Sequence, residues 1–474
     1  MKKLLLLILP LSLLHFNGFA QDKWDLRRCV EYAVVNNISV KQSDVQARLS
    51  KLTLNQSKLT QIPTLGLGAG VGVNSGHNLD PATYSLSTVT YTANSYSLQS
   101  SVNLFNFFSL RNTIAANRYA WQAALANSDK LKNDISLNVA NAYLQVLLAT
   151  QQTEAARLQL KLSQSNLEIT RKQVNAGALP ELNAAELEAQ VAQDSANYIS
   201  TRATIEQNVL TLKAYMGLDA SVPFEVSTPP VDQIPLDSLA DLQPEAVYAL
   251  ALTNQPLQKM DQLQVQSARK SVDANKGALY PAVTLTGSLG SNYISTYQQV
   301  NPNSFYPIVD TIGRVVGSGT QVVADGIGYS YKKIPYFSQL NQNFSQSIGL
   351  NINIPIFNNG TLRTNVERSK LNLRNLELQR DQDNLTLKQN IYQAYTASLA
   401  ALQKFEANKI SVSATEKSFD YARKRYNVGM LNTIDLLTNQ NNYFNAKINL
   451  LYSQFDYVFK MKVLEFYKGM GIKL

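Results

Sequence analysis

One cysteine, Cys29, and two histidines, His15 and His77, are the chain's whole stock of thiol and imidazole among 474 residues. A lone thiol forms neither an intrachain disulfide nor a thiolate metal cluster. His15 lies in an N-terminal leader, so one imidazole is left for the processed chain, too few for a His-based triad or a multi-histidine metal site. The carboxylates are scattered along helical stretches, as solvated faces usually are, and are not grouped as an acid and its base. No phosphate-binding loop is present. The expectation is therefore no catalytic residue, no cofactor, no metal and no enzyme. The net charge of +9 is dispersed, which fits a solvated surface better than a nucleic-acid footprint, so no nucleic-acid partner is expected.

The leader carries Lys2-Lys3, an apolar run from Leu4 to Leu14 interrupted by Pro10, and Gly18-Phe19-Ala20 before Gln21. These are the parts of a secretory signal peptide over residues 1–20, so the mature chain is expected to be exported. Cys29 is nine residues beyond that cleavage point, with no Leu-rich lipid-attachment box before it, and no lipid anchor is expected. Charged residues make up only 16% of the chain, against the roughly 25% of soluble domains. Outside the leader no apolar stretch reaches the roughly 18 residues of a spanning helix. A chain of this kind crosses a membrane, if it does, as strands.

The elements that would position any functional group come in two copies. Val30-Glu31-Tyr32-Ala33 leads to Ile62-Pro63, and Val247-Tyr248-Ala249-Leu250 leads to Tyr280-Pro281, 218 positions later. Farther on, Val174-Asn175-Ala176-Gly177 matches Tyr426-Asn427-Val428-Gly429 at a shift of 252, which also pairs Phe105 with Phe357, Arg171 with Arg423 and Tyr215 with Tyr467. A shift held over so many residues is what a long helix demands, because one added residue rotates everything beyond it by about 100°. The difference between the shifts is 34 residues, placed between Pro281 and Phe357 and read as an exposed loop from Asn301-Pro302-Asn303 and the Gly313–Gly328 stretch.

Each copy passes from helix (25–61, 244–280) to alternating strands. Leu65, Leu67, Ala69, Val71 and Val73 alternate with glycines; Tyr96, Leu98, Val102 and Leu104 alternate with Gln99, Ser101 and Asn103. In the second copy Val283, Leu285 and Leu289 face away from Thr284, Thr286 and Ser288, and Ile348, Leu350, Ile352 and Ile354 from Ser347, Asn351 and Asn353. A soluble sandwich strand alternates in the same way. Four strands long enough to cross a bilayer, in an exported chain, favour a membrane barrel. Four cannot close one, since single-chain barrels begin at eight and open edges do not survive in lipid, so several chains must share it. Between Arg111 and Gly177, and between Arg363 and Gly429, there is neither glycine nor proline before the final glycine, giving helices of about 100 Å. Two apolar ladders on the first (Val146, Thr153, Leu160, Leu167; and Leu148, Ala155, Leu158, Leu162, Ile169) imply a neighbour on each side.

Duplicated hairpin turns at Val174-Asn175-Ala176-Gly177 and Arg425-Tyr426-Asn427-Val428-Gly429, with Asp435-Leu436-Leu437 and Gln440 after the second, resemble the TolC family of outer-membrane efflux and secretion ducts over essentially the whole mature chain. The resemblance implies an α+β, mainly α fold: duplicated long helical hairpins forming a periplasmic α-barrel, and four strands per chain in a transmembrane β-barrel shared by a homotrimer. It implies location in the outer membrane, contact with its lipid, a periplasmic adaptor and an inner-membrane transporter as partners, and passive conduction of cargo that the sequence does not name. Residues 21–217 and 244–474 are then the repeats, the second with a loop insertion about 295–340, and the Pro-rich 218–243 is an equatorial connector.

In such ducts the hairpin tips form the periplasmic gate. Asp435 matches a carboxylate that would be ringed about the axis, and Tyr426 matches a gate tyrosine. Its expected acidic partner is Asn183 here, while Thr438 stands for a second aspartate and Leu431 for a gate arginine. Closure is thus expected to depend more on packing and neutral hydrogen bonds. Arg423, Lys424 and Arg425 read first as cations at a helix C-terminus and Gly177 and Gly429 as helix terminators; all five are also candidate adaptor contacts. A stand-alone diffusion pore and a structural coiled-coil envelope protein are the alternatives.

Overall fold

The computed structural model describes residues 23–79, 85–227 and 234–469; the expected leader and Pro229-Pro230 of the connector lie outside the described residues. The chain divides into two compact units assembled from interleaved segments. One takes residues up to Ser50, Ala120–Val265 and Asn375 onward; the other takes Lys51–Tyr119 and Gln266–Arg374.

The repeat is visible at element ends. Helices α3 (Ser109–Asn175) and α8 (Thr361–Asn427) have 67 residues each, with both ends 252 positions apart. Each stops where the next residues turn left-handed: Gly177 has φ 76° and Gly429 has φ 77°. The paired closing bonds Gly177 N to Val174 O and Ala178 N to Gln173 O recur as Gly429 N to Tyr426 O and Met430 N to Arg425 O. The returning helices are α4 (Glu181–Met216) and α9 (Thr433–Tyr467).

The expected single helices over 25–61 and 244–280 are each two. The first is α1 (Leu26–Asn36) and α2 (Ile38–Leu59); the second is α5 (Pro244–Asn254) and α6 (Pro256–Gly277). All four ends keep the 218 shift, and the break falls on Asn37 in one copy and Gln255 in the other. Both break residues do the same work. Asn37 Nδ2 donates to Tyr215 O at 2.8 Å, and Gln255 Nε2 donates to Phe466 O at 2.9 Å and Tyr467 O at 3.2 Å. Each amide therefore satisfies the orphan carbonyls at the end of a returning helix. Gly217 and Gly469, with φ 69° and 71°, lie directly against the breaks, where an added Cβ would come within 3.0 Å of Asn36 O and 2.7 Å of Asn254. Gln255→Ala strands those carbonyls and is expected to cost about 1–2 kcal/mol, read as a lower guanidinium midpoint; an unmoved midpoint would mean that water replaces the amide without penalty.

Two cores flank these joints and correspond position by position. Cys29, Ala33, Val139 and Leu212 are buried in the first copy as Val247, Ala251, Ile391 and Leu464 are in the second. Cys29 is thus a small core side chain, and burial pushes its thiol up to about 12, which makes it inert.

In the other unit β1 (Thr64–Leu79), β2 (Leu86–Phe105), β3 (Ala282–Ile294) and β8 (Ser345–Asn353) form one antiparallel sheet in that order. Its register lines up like with like. Thr64, Ser101, Thr286 and Gly349 form one cross-strand row, and Gly66, Gln99, Ser288 and Ser347 the next; Leu67, Leu98 and Leu289 lie on the opposite face. Hydroxyl pairs such as Ser288–Ser347, at 2.8 Å, knit the polar face. On the other face Leu67 and Ile348 are each 80% exposed. The insertion is not a loop. It contains β4 (Gln298–Val300) paired with β7 (Tyr331–Lys333), β5 (Tyr306–Arg314) paired with β6 (Gln321–Gly328), and α7 (Tyr336–Gln342). The β-branched Ile308, Val309, Thr311 and Ile312 favour a strand and outweigh the Pro and Gly punctuation there.

Candidate gate at the hairpin tips

Asn432 caps α9: its Oδ1 accepts from Asp435 N at 2.7 Å, and Asp435 follows in the first helical turn. A carboxylate there also meets the positive end of the helix dipole. Asp435 and Thr438 are three residues apart on an exposed face, and the Thr438 hydroxyl turns back onto Ile434 O at 2.8 Å. Only the carboxylate is left to present charge on that face.

Tyr426 is placed differently from the gate expectation. Its hydroxyl lies 3.0 Å from Thr170 Oγ1, which is fully buried on α3, and not against Asn183. Asn183 is half-buried in the first turn of α4, its backbone N bonded to Pro180 O. Around Tyr426, Phe419 and Leu436 form a small core with Leu162, Leu431 and Tyr443 packed on it. Leu431 thus contributes apolar packing.

The basic run is locally engaged. Asp420 binds Arg423 at 3.1 Å and Lys424 at 2.6 Å, and the Lys424 bond holds its carboxyl below the usual carboxylate range. Arg425 Nη2 donates to Met430 O at 3.4 Å, across the turn at Gly429. Helix termination and exposed ion pairing therefore account for what these three side chains do within the chain.

A buried polar network above the tips has no sequence signal beyond ordinary helical polar residues. Asp194 on α4 accepts from Ser163 Oγ on α3 and, at 2.9 Å, from Gln190 Nε2. Gln440 Nε2 on α9 donates to the same Ser163 oxygen at 2.8 Å, and Asn166 Nδ2 donates to Gln440 Oε1 at 3.1 Å. Three helices are thereby joined through Ser163, whose hydroxyl donates to the Asp194 carboxylate and accepts from Gln440, which keeps these polar groups satisfied. Beside it a groove of about 480 Å³ is lined by Gln152, Asn197, Asn441 and Asn445. Among the described residues no three His, Cys, Asp or Glu side chains converge on a metal-sized site.

The family model for outer membrane efflux proteins matches residues 30–218 and 247–458, both repeats of the chain. The chain belongs to that family. Outer membrane protein TolC of Escherichia coli strain K12 is 23% identical over 463 residues, covering 97% of this chain and 84% of that protein. Among solved structures, CusC superposes with a TM-score of 0.76 at 16% identity, over 94% of this chain and 92% of that one. VceC from Vibrio cholerae gives 0.71 at 16% identity, over 94% and 97%. The fold is thus shared along nearly the whole chain of this outer membrane efflux protein, and its site of action is the cell outer membrane.

Proposed function

We propose that three copies of this outer membrane efflux protein form the exit duct of a tripartite export system, passing cargo from the periplasm and an inner-membrane transporter to the exterior. The observation that carries this reading is the sheet. One face is largely apolar and exposed, the other mainly Ser, Thr, Asn, Gln and Gly, and among the described residues the outer edges of β1 and β8 meet no strand. In lipid such edges must be paired, so β8 of one copy joins β1 of the next, and three copies give twelve strands. Leu158 and Ile169 on the second ladder of α3 are 44% and 48% exposed, which supports a neighbouring copy along the helices too. The test is a detergent-resistant trimer that conducts after reconstitution; a monomer, or a rod without conductance, would overturn the reading.

The gate would be a neutral lock with one charged ring. Tyr426–Thr170 and the Leu431 cluster support closure by packing, while three Asp435 carboxylates around the axis would favour cations. The basic tips and their glycines would be available to a periplasmic adaptor. Asp435→Asn keeps the helix cap and is expected to lower single-channel cation selectivity and weaken divalent-ion block. Unchanged selectivity and block would remove Asp435 from the constriction.

A further inference from the structure

Strand β3 outruns its partner. β8 pairs with it only from Ala282 to Gly290, where Ser345 is reached, and Ser291–Ile294 continue without a strand on that edge. Helix α7 takes the strand's place. Gln339 Oε1 accepts from Ile294 N at 2.9 Å while its Nε2 donates to Ile294 O at 3.0 Å, the two bonds a paired strand residue would exchange. Asn343 Nδ2 donates to Asn292 O at 2.8 Å, and Leu340 O accepts from Ser291 Oγ at 2.6 Å. Gln339 is 1% exposed, so this amide is built into the sheet edge. At the helix start Tyr336 Oη lies 2.8 Å from Tyr96 Oη, which fixes α7 against β2 as well.

The two open edges of the sheet are consequently unequal, sixteen residues on β1 and nine on β8. If β8 and the next copy's β1 start together at the helical end of the sheet, the last stretch of β1, about Asn74 to Leu79, has no strand to meet. Its backbone groups still need partners. Resting on the shared-barrel reading, we propose that α7 is the seam piece between copies: it ends strand pairing at Ser345 and seats residues 74–79 of the neighbouring copy's β1 on its uncovered face. That face carries Phe337, Ser338, Asn341 and Gln342, all exposed. It holds no charge, where exposed strand edges are ordinarily protected by charge, and its amides offer the same donor and acceptor that Gln339 gives Ile294. The occupant is a second copy of this chain.

The experiment uses the full-length protein with Cys29→Ala and paired cysteines, Asn341→Cys with Asn74→Cys, Ser75→Cys or His77→Cys, treated in the membrane with a short bismaleimide. At least one pair is expected to give covalent dimers and trimers on denaturing gels, and Asn341→Cys alone none. Gln339→Leu, which deletes the edge bonds at similar size, is expected to reduce that cross-linking several-fold. Detergent-resistant trimers that fail to cross-link with every pair overturn the seam while leaving the shared barrel intact. Loss of the trimer in the unsubstituted protein overturns the shared barrel and the seam together.

Discussion

Lys462→Met is expected to destabilise the helical unit by about 3–5 kcal/mol, the usual cost of removing one partner from a buried ion pair. Lys462 and Glu465 lie one turn apart on α9, their side chains 6% and 4% exposed, with Nζ 2.9 Å from Oε2. The remaining polar atoms are also engaged. Lys462 Nζ donates to Pro235 O at 2.6 Å, and Glu465 Oε1 accepts from Asp237 N at 2.7 Å. The pair thus fastens the connector 234–237 to α9, and Lys468 adds a half-buried bridge to Asp237 at 2.7 Å. Methionine fills the space of the lysine stem but leaves Glu465 as an unneutralised carboxylate beside the second core. The measurement is the unfolding free energy from guanidinium titration followed by circular dichroism. Lys462→Met with Glu465→Leu removes the orphaned charge and is expected to recover most of the loss, because an apolar pair can replace a buried ion pair at little cost. A single substitution costing under about 1 kcal/mol would show that water reaches the pair.

Long-range periodicity made most of this fold legible. The 67-residue helices forbid insertions, so the 252 shift survived in plain view, and four alternating strands announced the sheet. Short-range punctuation was harder to weigh. Pro256 at the first position of α6 is a helix-start signal, and Asn37 Oδ1 caps α2 by accepting from Ser39 N at 2.9 Å, yet each is also tolerable within a longer helical pattern. In the insertion, Gly313 and Gly328 suggested a loop because glycine does not report whether its neighbours pair. At the candidate gate, the type of residue was readable but its partner was not: Tyr426 and Thr170 are 256 positions apart, and only packing of α8 on α3 brings them together. Buried polar groups such as Asp194 and Gln440 were invisible for the same reason, since a helix position is inside or outside only relative to its neighbours.

One further buried group gives the second large effect, and it runs opposite to the common behaviour of carboxylates. Asp261 on α6 is 4% exposed, and its Oδ2 is buried with no donor facing it. Gln258 Nε2 and Asn384 Oδ1 are likewise buried without partners. Asp383 on α8 faces it, both its oxygens accepting from Gln379 Nε2 at 3.1 Å, and Arg380 supplies the opposing positive charge. Burial, then the charge and hydrogen bonding of Asp383, push the Asp261 carboxyl from its ordinary 3.8 up to about 6, against the lowering by Arg380. The folded protein therefore holds a proton between pH 4 and 6 that the unfolded chain has released, and stability from this site falls as pH rises through that window. Above about pH 6 Asp261 is ionised, and burying that charge, with the repulsion of Asp383 added, costs about 2–3 kcal/mol. The first copy has Ser43 and Leu131 at the positions 218 and 252 residues earlier, so only the second copy carries the opposed pair. Asp261→Asn places a neutral donor against Asp383 and is expected to raise stability by about 2 kcal/mol at pH 7.5, with the gain vanishing near pH 4.5, where the native carboxyl is already protonated. Unfolding titrations of both proteins at the two pH values decide it: a gain of equal size at both, or none at pH 7.5, would mean that Asp261 and Asp383 do not share a proton-linked contact.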